Sequence, residues 1–343
     1  MSCSLAVAGV GVIGRRHIEL IDANPRAKLA ALVEPAPAAQ AFARSLGVPV
    51  FDSIPAMLSQ ARVDGIIVAT PNALHAANVG ECVARGVPAF VEKPVAVTIE
   101  QADEMHSAAE AAGVPVLVGH HRRHNPIIKR AREAIASGAI GALTAVSGRW
   151  LVRKPDDYYS VGWRTEIGSG GPILINLIHD VDSIRFIAGE IDAVQAMSSS
   201  ARRGFAVEDS AAILLRFANG ALGTFNVSDA TPSAANWELS SGENPDYPNA
   251  AADCYLLAGT AGSLDVPSLT LWSQNDARGW FHPLARETLA CQPADPLALQ
   301  LDHFLRVIEG SERPLTTIAD AARSLRVVLA IAQAASSGAI VRV

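Results

Sequence analysis

Cysteine is scarce: Cys3, Cys82, Cys254 and Cys291 are widely scattered and form no C-x-x-C pair. Neither a disulfide framework nor a zinc ribbon is indicated, and a reducing compartment is the simpler setting. Runs of Lys and Arg are also lacking, and the net charge is −6, so nucleic acid is not an expected partner. No uninterrupted apolar stretch reaches the roughly eighteen residues of a membrane span. The N-terminus turns apolar at once, but it has no basic leader and carries Gly-x-Gly where a signal peptide would need to stay helical. A soluble, cytoplasmic protein without a membrane partner is expected. At 343 residues the chain exceeds the usual single domain and divides most simply in two.

What is present begins with Leu5-Ala6-Val7-Ala8 running into Gly9-Val10-Gly11-Val12-Ile13-Gly14. This reads as a strand turning into a helix, with glycines where a dinucleotide pyrophosphate must approach the backbone. Gly9 permits the tight turn, Gly11 leaves room for phosphates, and Gly14 lets the helix lie close to the strand. The helix start at Gly11-Val12-Ile13-Gly14 offers unpaired N–H groups and a partial positive charge to the anion. The next apolar run, Lys28 to Val33, ends in Glu34, where a carboxylate can accept from ribose hydroxyls and repel a 2′-phosphate. No arginine follows until Arg44. NAD is therefore expected ahead of NADP, which is not excluded.

Beyond the fingerprint, short β-branched runs at 63–69, 89–91 and 115–118 alternate with alanine-rich helical stretches near 14–23, 36–46, 73–85 and 99–112. Strands apolar at nearly every position, separated by helices, predict a doubly wound parallel sheet. Ligands of such sheets bind beyond the carboxyl ends of the strands. Ala69-Thr70-Pro71-Asn72 lies at one such end, with His75 a turn further on. Asn72 suits a helix start as well as a ligand contact, and His75 is open between facing the cofactor and serving the core. Glu92-Lys93-Pro94 follows another strand directly and places a charged pair at the sheet edge, beside a proline whose peptide bond is open to either isomer. His120, His121 and His124 invite a metal reading, but adjacent residues of an extended segment point to opposite faces and no carboxylate or cysteine completes a set. No metal is expected. Arg122 and Arg123 suit anchoring or contact with cofactor or substrate.

Past Pro126 a helix through Ile135 leads into longer, alternating strands at 143–151, 190–199, 210–217, 221–227, 236–240, 253–258, 262–266 and 269–273. Their alternation predicts an open sheet, largely antiparallel, with one face buried. The fold class is thus α/β, an N-terminal Rossmann sheet over 1–122 followed by an α+β domain over 123–343. Arg153, Lys154, Tyr158, Trp163 and Arg164 lie in a polar stretch between the first two of these strands and are pocket candidates, since arginine grips carboxylates and an aromatic covers a sugar face. From Pro172 to Ile187 apolar residues recur at helical spacing. On that helix Asn176 and His179 share a face, with Asp182 three residues on. A neutral imidazole is a natural proton acceptor.

Gly9-x-Gly11-x-x-Gly14, Ala69-Thr70-Pro71-Asn72 with His75, Glu92-Lys93-Pro94, and Gly170-Gly171 followed by Asn176, His179 and Asp182, in this order, resemble the glucose–fructose oxidoreductase, inositol dehydrogenase and MocA-type oxidoreductase family. The resemblance spans essentially the whole chain. It implies a Rossmann domain joined to a large open sheet used in homodimers or homotetramers, and oxidation of a sugar or cyclitol hydroxyl, or reduction of the ketone, with NAD or NADP. It also implies Lys93 and His179 as catalytic residues, with Gly9, Gly11, Val12, Ile13, Gly14, Glu34, Thr70, Asn72, His75, Glu92 and Lys93 about the cofactor. Arg122, Arg153, Tyr158, Trp163, Arg164, Asn176 and His179 are expected about the substrate. One departure stands out: the family commonly has an aspartate four residues before the histidine, where this chain has Ile175. Asn176, Asp180 and Asp182 are the candidates to offset it. The alternatives are a redox-neutral enzyme around a retained NAD, such as a glycoside-cleaving relative, and a non-enzymatic dinucleotide sensor, which would need neither Lys93 nor His179.

Overall fold

Strands that are apolar at every position need cover on both faces, and the chain supplies it by alternation. The computed structural model describes residues 2–274 and 279–343. In the first half, β1 (Cys3–Ala8), α1 (Val12–Ala23), β2 (Ala27–Val33), α2 (Pro37–Ser45), β3 (Val50–Phe51), α3 (Ile54–Gln60), β4 (Gly65–Val68), α4 (His75–Ala84), β5 (Ala89–Val91), α5 (Ile99–Ala112) and β6 (Val116–Val118) follow one another. The six strands pair in parallel in the order β3-β2-β1-β4-β5-β6. This is the doubly wound dinucleotide-binding order, with its switch point between β1 and β4. The expected strands are all present; β3 and α3 are additional. Ser53 caps α3, its hydroxyl accepting from the Ala56 N–H at 3.3 Å, with Pro55 in the first turn, a start signal that was legible.

The second half runs through α6 (Pro126–Ala136), β7 (Leu143–Leu151), α7 (Ile178–Ala188), β8 (Ile191–Ser199), β9 (Ser210–Phe217), β10 (Leu222–Ser228), α8 (Trp237–Ser240), β11 (Tyr255–Gly259), β12 (Gly262–Val266), β13 (Thr270–Ser273) and β14 (Ala285–Thr288). The chain closes with α9 (Pro296–Ile308), α10 (Ile318–Ser337) and β15 (Val341–Arg342). The second sheet runs β14-β13-β12-β11-β7-β10-β9-β8-β15, antiparallel apart from the parallel β7–β10 pair. Alternating burial along β7, β9 and β10 gives it one covered and one open face. The strand expected at 236–240 is instead the short helix α8. Asn236 starts it, its side-chain oxygen accepting from the Leu239 N–H at 2.9 Å while its amide donates to the Leu151 and Ser233 carbonyls. A local cap outweighed the apolar pattern.

Two compact units result: Met1–His121 with Pro296–Leu325, and Arg122–Asp295 with Arg326–Val343. A single division between 122 and 123 does not foresee the return of Pro296–Leu325 to the first unit. Its cause is core packing: Leu301, Phe304 and Leu305 of α9 are buried with Leu5, Val7 and Phe90, and Phe304 meets Phe90 edge to face at 5.7 Å between centroids. Burying each such side chain contributes about 1.5–3 kcal/mol. The second core gathers the inner faces of α6, α7 and the sheet with Val327, Val328 and Ile331 of α10. Among the described residues no helix is long and apolar enough to cross a membrane, and all four cysteines are free thiols.

Candidate active site

In the first unit the β1–α1 turn has the shape that its glycines demand. Gly9 adopts φ +91°, and a Cβ there would lie 2.5 Å from the Ala69 carbonyl oxygen. A Cβ on Gly14 would lie 2.0 Å from the Gly9 carbonyl oxygen, so α1 rests against the turn only because residue 14 is glycine. At Gly11 nothing lies within 4 Å of the corresponding position. The start of α1 has no side-chain cap, which leaves its first N–H groups to an anion. Open backbone at Gly11 beside an uncapped helix fits a dinucleotide pyrophosphate, and Gly11, Val12, Ile13 and Gly14 are the residues that would hold it.

Glu34 stands at the end of β2 and is buried. Its two carboxylate oxygens accept from the Val10 N–H at 3.0 Å and the Ala36 N–H at 2.9 Å, tying the fingerprint loop to the turn after β2. A carboxylate has about four acceptor positions, so capacity for ribose hydroxyls remains. Two cations are tied to the same loops. The Arg15 guanidinium donates to the Val10 carbonyl and lies 4.0 Å over the Phe42 ring. Arg44 is held by Gln40, whose amide donates to the Glu34 carbonyl.

At the end of β4, Thr70 takes a hydrogen bond from the Asn78 amide on its hydroxyl, and Asn72 opens a single 3₁₀ turn leading into α4. His75 is fully buried. Its Nδ1 lies 2.8 Å from the Pro94 carbonyl oxygen and its Nε2 2.9 Å from that of Thr70. The imidazole thus clamps the β4 end to the β5 end, both nitrogens turned to main chain rather than to a ligand. Burial lowers its pKa despite the two carbonyls. Glu92 is likewise turned inward: its carboxylate meets His17 Nε2 of α1 at 2.8 Å and accepts from the Lys93 N–H at 3.2 Å. Burial works to raise its pKa, but the His17 contact and the charge of Lys93 carry it below the usual value. Gly119 makes room, since a Cβ there would come within 3.0 Å of the Glu92 carboxylate. His17 was not singled out in the sequence, because its only signal is a partner far along the chain. Lys93 is half-buried at the edge of the sheet, and the Lys93–Pro94 bond is cis.

In the second unit Gly170-Gly171-Pro172 opens the expected helix, and the half-buried Glu208 carboxylate caps it by accepting from the Ile173 N–H at 2.9 Å. Residues Ile173–Leu177 form a π turn before α7 begins. The regular phase on which Asn176 and His179 were placed on one face therefore does not run through Asn176; such turns recur at functional positions. His179, in the first turn of α7, is half-buried. Both nearby aspartates are engaged with arginines. Asp182 forms a two-pronged pair with Arg123 at 2.8 and 2.7 Å. Asp180, fully buried rather than solvated, accepts from the Tyr255 hydroxyl and pairs with Arg122 at 3.3 Å. Burial pushes Asp180 up to about 6, against the pull of Arg122.

Arg122 also binds Glu238 at 2.9 Å and lies 5.4 Å over the Trp237 ring. Its expected substrate contact gives way to a core role, since its charge is consumed by Asp180 and Glu238. Arg153 is exposed and forms a lone bridge to Ala230. Tyr158 is half-buried and in contact with two cations: the Arg164 guanidinium lies 4.0 Å from its ring centroid and the Lys154 ammonium 4.2 Å. Arg164 also lies 5.7 Å over Trp163, which is 41% exposed. Lys154 Nζ donates to Asn176 Oδ1 at 2.6 Å. The structure thus brings Lys154, Tyr158, Arg164 and Asn176 together and leaves Arg153 and Arg122 out. Among the described residues, no three His, Cys, Asp or Glu side chains gather to hold a metal.

Residues 3–120 match the model of the oxidoreductase family with an NAD-binding Rossmann fold, and residues 128–265 match the GFO/IDH/MocA C-terminal domain. The chain is 30% identical over 306 residues to 1,5-anhydro-D-fructose reductase of Ensifer adhaerens, covering 88% of this chain and 86% of that protein. The match to rhizopine catabolism protein MocA of Rhizobium meliloti is 29% identical over 188 residues and spans 54% of this chain and 57% of that protein. Among solved structures, the WlbA dehydrogenase of Bordetella pertussis, crystallised with NADH and UDP-GlcNAcA, superposes with a TM-score of 0.81 at 25% identity over 100% of this chain and 99% of that one. The chain belongs to the GFO/IDH/MocA family of oxidoreductases, NAD(P)-dependent enzymes with a Rossmann fold.

Proposed function

We propose that this enzyme transfers hydride between NAD, preferred to NADP, and a secondary hydroxyl or the matching ketone of a sugar, cyclitol, sugar acid or related cyclic alcohol. The observation that carries the reading is the carboxyl edge of the first sheet: the open turn at Gly11 follows β1, Thr70 follows β4 across the switch point, and Lys93 follows β5. Bound there, the nicotinamide supplies the hydride chemistry. Lys93 holds the substrate oxygen and stabilises negative charge developing on it. His179 takes the hydroxyl proton in oxidation and returns it in reduction. Glu34 supports the NAD preference, its carboxylate sitting between the fingerprint and the turn after β2. The names of the relatives, a reductase of an anhydrosugar and a dehydrogenase solved with a nucleotide sugar acid, support the substrate class.

We further infer a homodimer or homotetramer assembled through the open sheet. Its uncovered face carries Leu214, Leu222 and Leu256, with Leu222 62% exposed, around an apolar depression of about 390 Å³; a contiguous apolar face of this kind suits a subunit contact. A cytoplasmic setting accords with four free thiols.

The test is formation of NADH or NADPH from sugars, cyclitols and sugar acids by the purified enzyme, with Lys93→Ala as control. Lys93-dependent reduction of NAD by one class is the expected result. Tight NAD binding with no net reduction would overturn the dehydrogenase reading in favour of a redox-neutral enzyme or a sensor, which product analysis would separate.

A further inference from the structure

Two cations of the second unit share one aromatic ring and lack an acid. Lys154 is only 9% exposed, and its main chain is fixed on both sides: its N–H donates to the Asp229 carbonyl at 3.0 Å and its carbonyl accepts from Arg203 at 2.9 Å. Its ammonium has three protons to give, of which one goes to Asn176 Oδ1; its other close neighbours are the faces of Tyr158 and Trp150, at 4.2 and 5.4 Å. Arg164 donates from Nη1 to the Tyr158 carbonyl at 2.7 Å, while its Nε is buried with no hydrogen-bond partner. Among the described residues no carboxylate pairs with either. The two acids whose fields reach Lys154 are already engaged: Asp229 by Arg203 and the Tyr159 hydroxyl, Glu238 by Arg122 and the Trp150 indole. A buried ammonium and a buried guanidinium Nε with unused donors are costly unless a partner arrives.

We propose that Lys154 and Arg164, both against the Tyr158 ring, form a carboxylate-binding subsite bordered by Asn176, so that the preferred substrates are sugar or cyclitol acids rather than their neutral counterparts. The proposal rests on the hydride-transfer reading for its substrate class. Asn176, on the π turn leading into His179, links the subsite to the residue given the proton-transfer role. An ionised carboxylate has about four acceptor positions, enough to take hydrogen bonds from both the guanidinium and the ammonium. Burial lowers the Lys154 amine to about 8; Asp229 and Glu238 draw it up, while Arg164 and Arg203 hold it down, and a bound carboxylate would draw it up further.

The experiment compares D-glucuronate with D-glucose, D-galacturonate with D-galactose, and D-glucose 6-phosphate as the competing oxyanion, in wild type, Lys154→Met, Lys154→Arg and Arg164→Gln. In wild type the acid-to-neutral ratio of kcat/KM is expected at about 10–100, the value of one charged hydrogen-bond pair. It should collapse toward one in Lys154→Met and Arg164→Gln, and survive in Lys154→Arg. A wild-type ratio near one that the substitutions leave unmoved, or a preference for the phosphate, would overturn the proposal. If no sugar reduces NAD, the dehydrogenase reading fails by itself, and the subsite is read by tryptophan fluorescence titration. Tighter binding of D-glucuronate than of D-glucose, lost in Lys154→Met, would uphold it; matching titrations of the two sugars would sink it.

Discussion

The polar side chains at the strand ends of the first unit and those around Tyr158 in the second are deployed in opposite ways. In the first unit Glu34, His75 and Glu92 are spent inside the protein, on the N–H groups of Val10 and Ala36, on the carbonyls of Thr70 and Pro94, and on His17. What is left open is main chain, at Gly11 and the uncapped start of α1. In the second unit Lys154 and Arg164 keep donors in hand while the acids near them are engaged elsewhere. The difference teaches how one fold reads two ligands. A dinucleotide common to many enzymes is gripped through backbone, with side chains holding the loops in shape. On the proposed assignment, a particular substrate would be read by side chains that are otherwise incompletely paired.

The sharpest way to break that comparison is to remove the two residues given chemical roles. Lys93→Met and His179→Asn are each expected to lower kcat by about 10²–10⁴-fold with NADH affinity nearly unchanged, as read by fluorescence titration. Loss of NADH binding equal to the loss of rate would instead make Lys93 part of the cofactor cradle. The next largest effect tests whether Arg122 belongs to the core rather than to the substrate. Arg122→Met strands Asp180 beside Glu238, and should cost about 3–5 kcal/mol in denaturant unfolding. Pairing it with Asp180→Asn should recover a substantial part. Asp180 has a raised folded-state pKa of about 6 against an ordinary value of 3.8. Between those values the folded protein keeps a proton that the unfolded chain has lost, so this group's contribution to stability falls as pH rises through that window. If Arg122→Met left stability intact while abolishing turnover, the division between scaffold and reader would be drawn in the wrong place.

These placements explain what was legible in the sequence. The glycines at 9, 11 and 14 could be read because their constraint is local: backbone angle, and the space left by a missing Cβ. The alternation of strand and helix and the one-sided second sheet could be read because period reports burial. The fate of Glu92 and Arg122 could not, since each is decided by a partner far away in sequence, His17 standing 75 positions from Glu92; that of His75 depends on the Pro94 carbonyl, 19 positions on. The same holds for α9, whose amphipathic pattern reveals a buried face but not which core receives it. The π turn at Ile173–Leu177 is invisible to a helical count because one widened turn leaves the apolar residues in place while shifting the phase of Asn176. Lys154 stood among five pocket candidates with nothing to single it out; its burial and its neighbours did so.

A smaller effect sharpens the substrate side. The Lys154 amine is charged below about 8, so a carboxylate binding at neutral pH finds its partner ready, whereas above that pH binding must bring a proton with it. The groups that act on this amine are Asp229, Glu238, Arg164 and Arg203, with the Tyr158 phenol, raised by burial above its ordinary value, against it. For acid substrates kcat/KM should fall as pH rises from 8 toward 10, by up to about tenfold per unit, while neutral sugars show a flatter limb. Calorimetry of D-glucuronate binding in buffers of different ionisation enthalpy should register proton uptake at pH 9 and little at pH 7. A pH profile shared by acid and neutral sugars would assign the limb to another group.

The smallest expected effect tests the first unit's economy of side chains. Glu34→Gln removes the charge that disfavours a 2′-phosphate but keeps the shape of the side chain. An amide can accept from only one of the two N–H groups that the carboxylate now serves, so the turn after β2 should loosen and NAD should bind somewhat less tightly. With the negative charge gone, Arg15 and Arg44, tied to the Val10 carbonyl and to Gln40, are opposed by one carboxylate fewer. The NAD-to-NADP ratio of kcat/KM is expected to drop about tenfold, or about 1.4 kcal/mol, largely through KM for NADP. A ratio unmoved by the substitution would mean that Glu34 serves only the loop, and that the backbone grip of this unit extends to the ribose as well as the pyrophosphate.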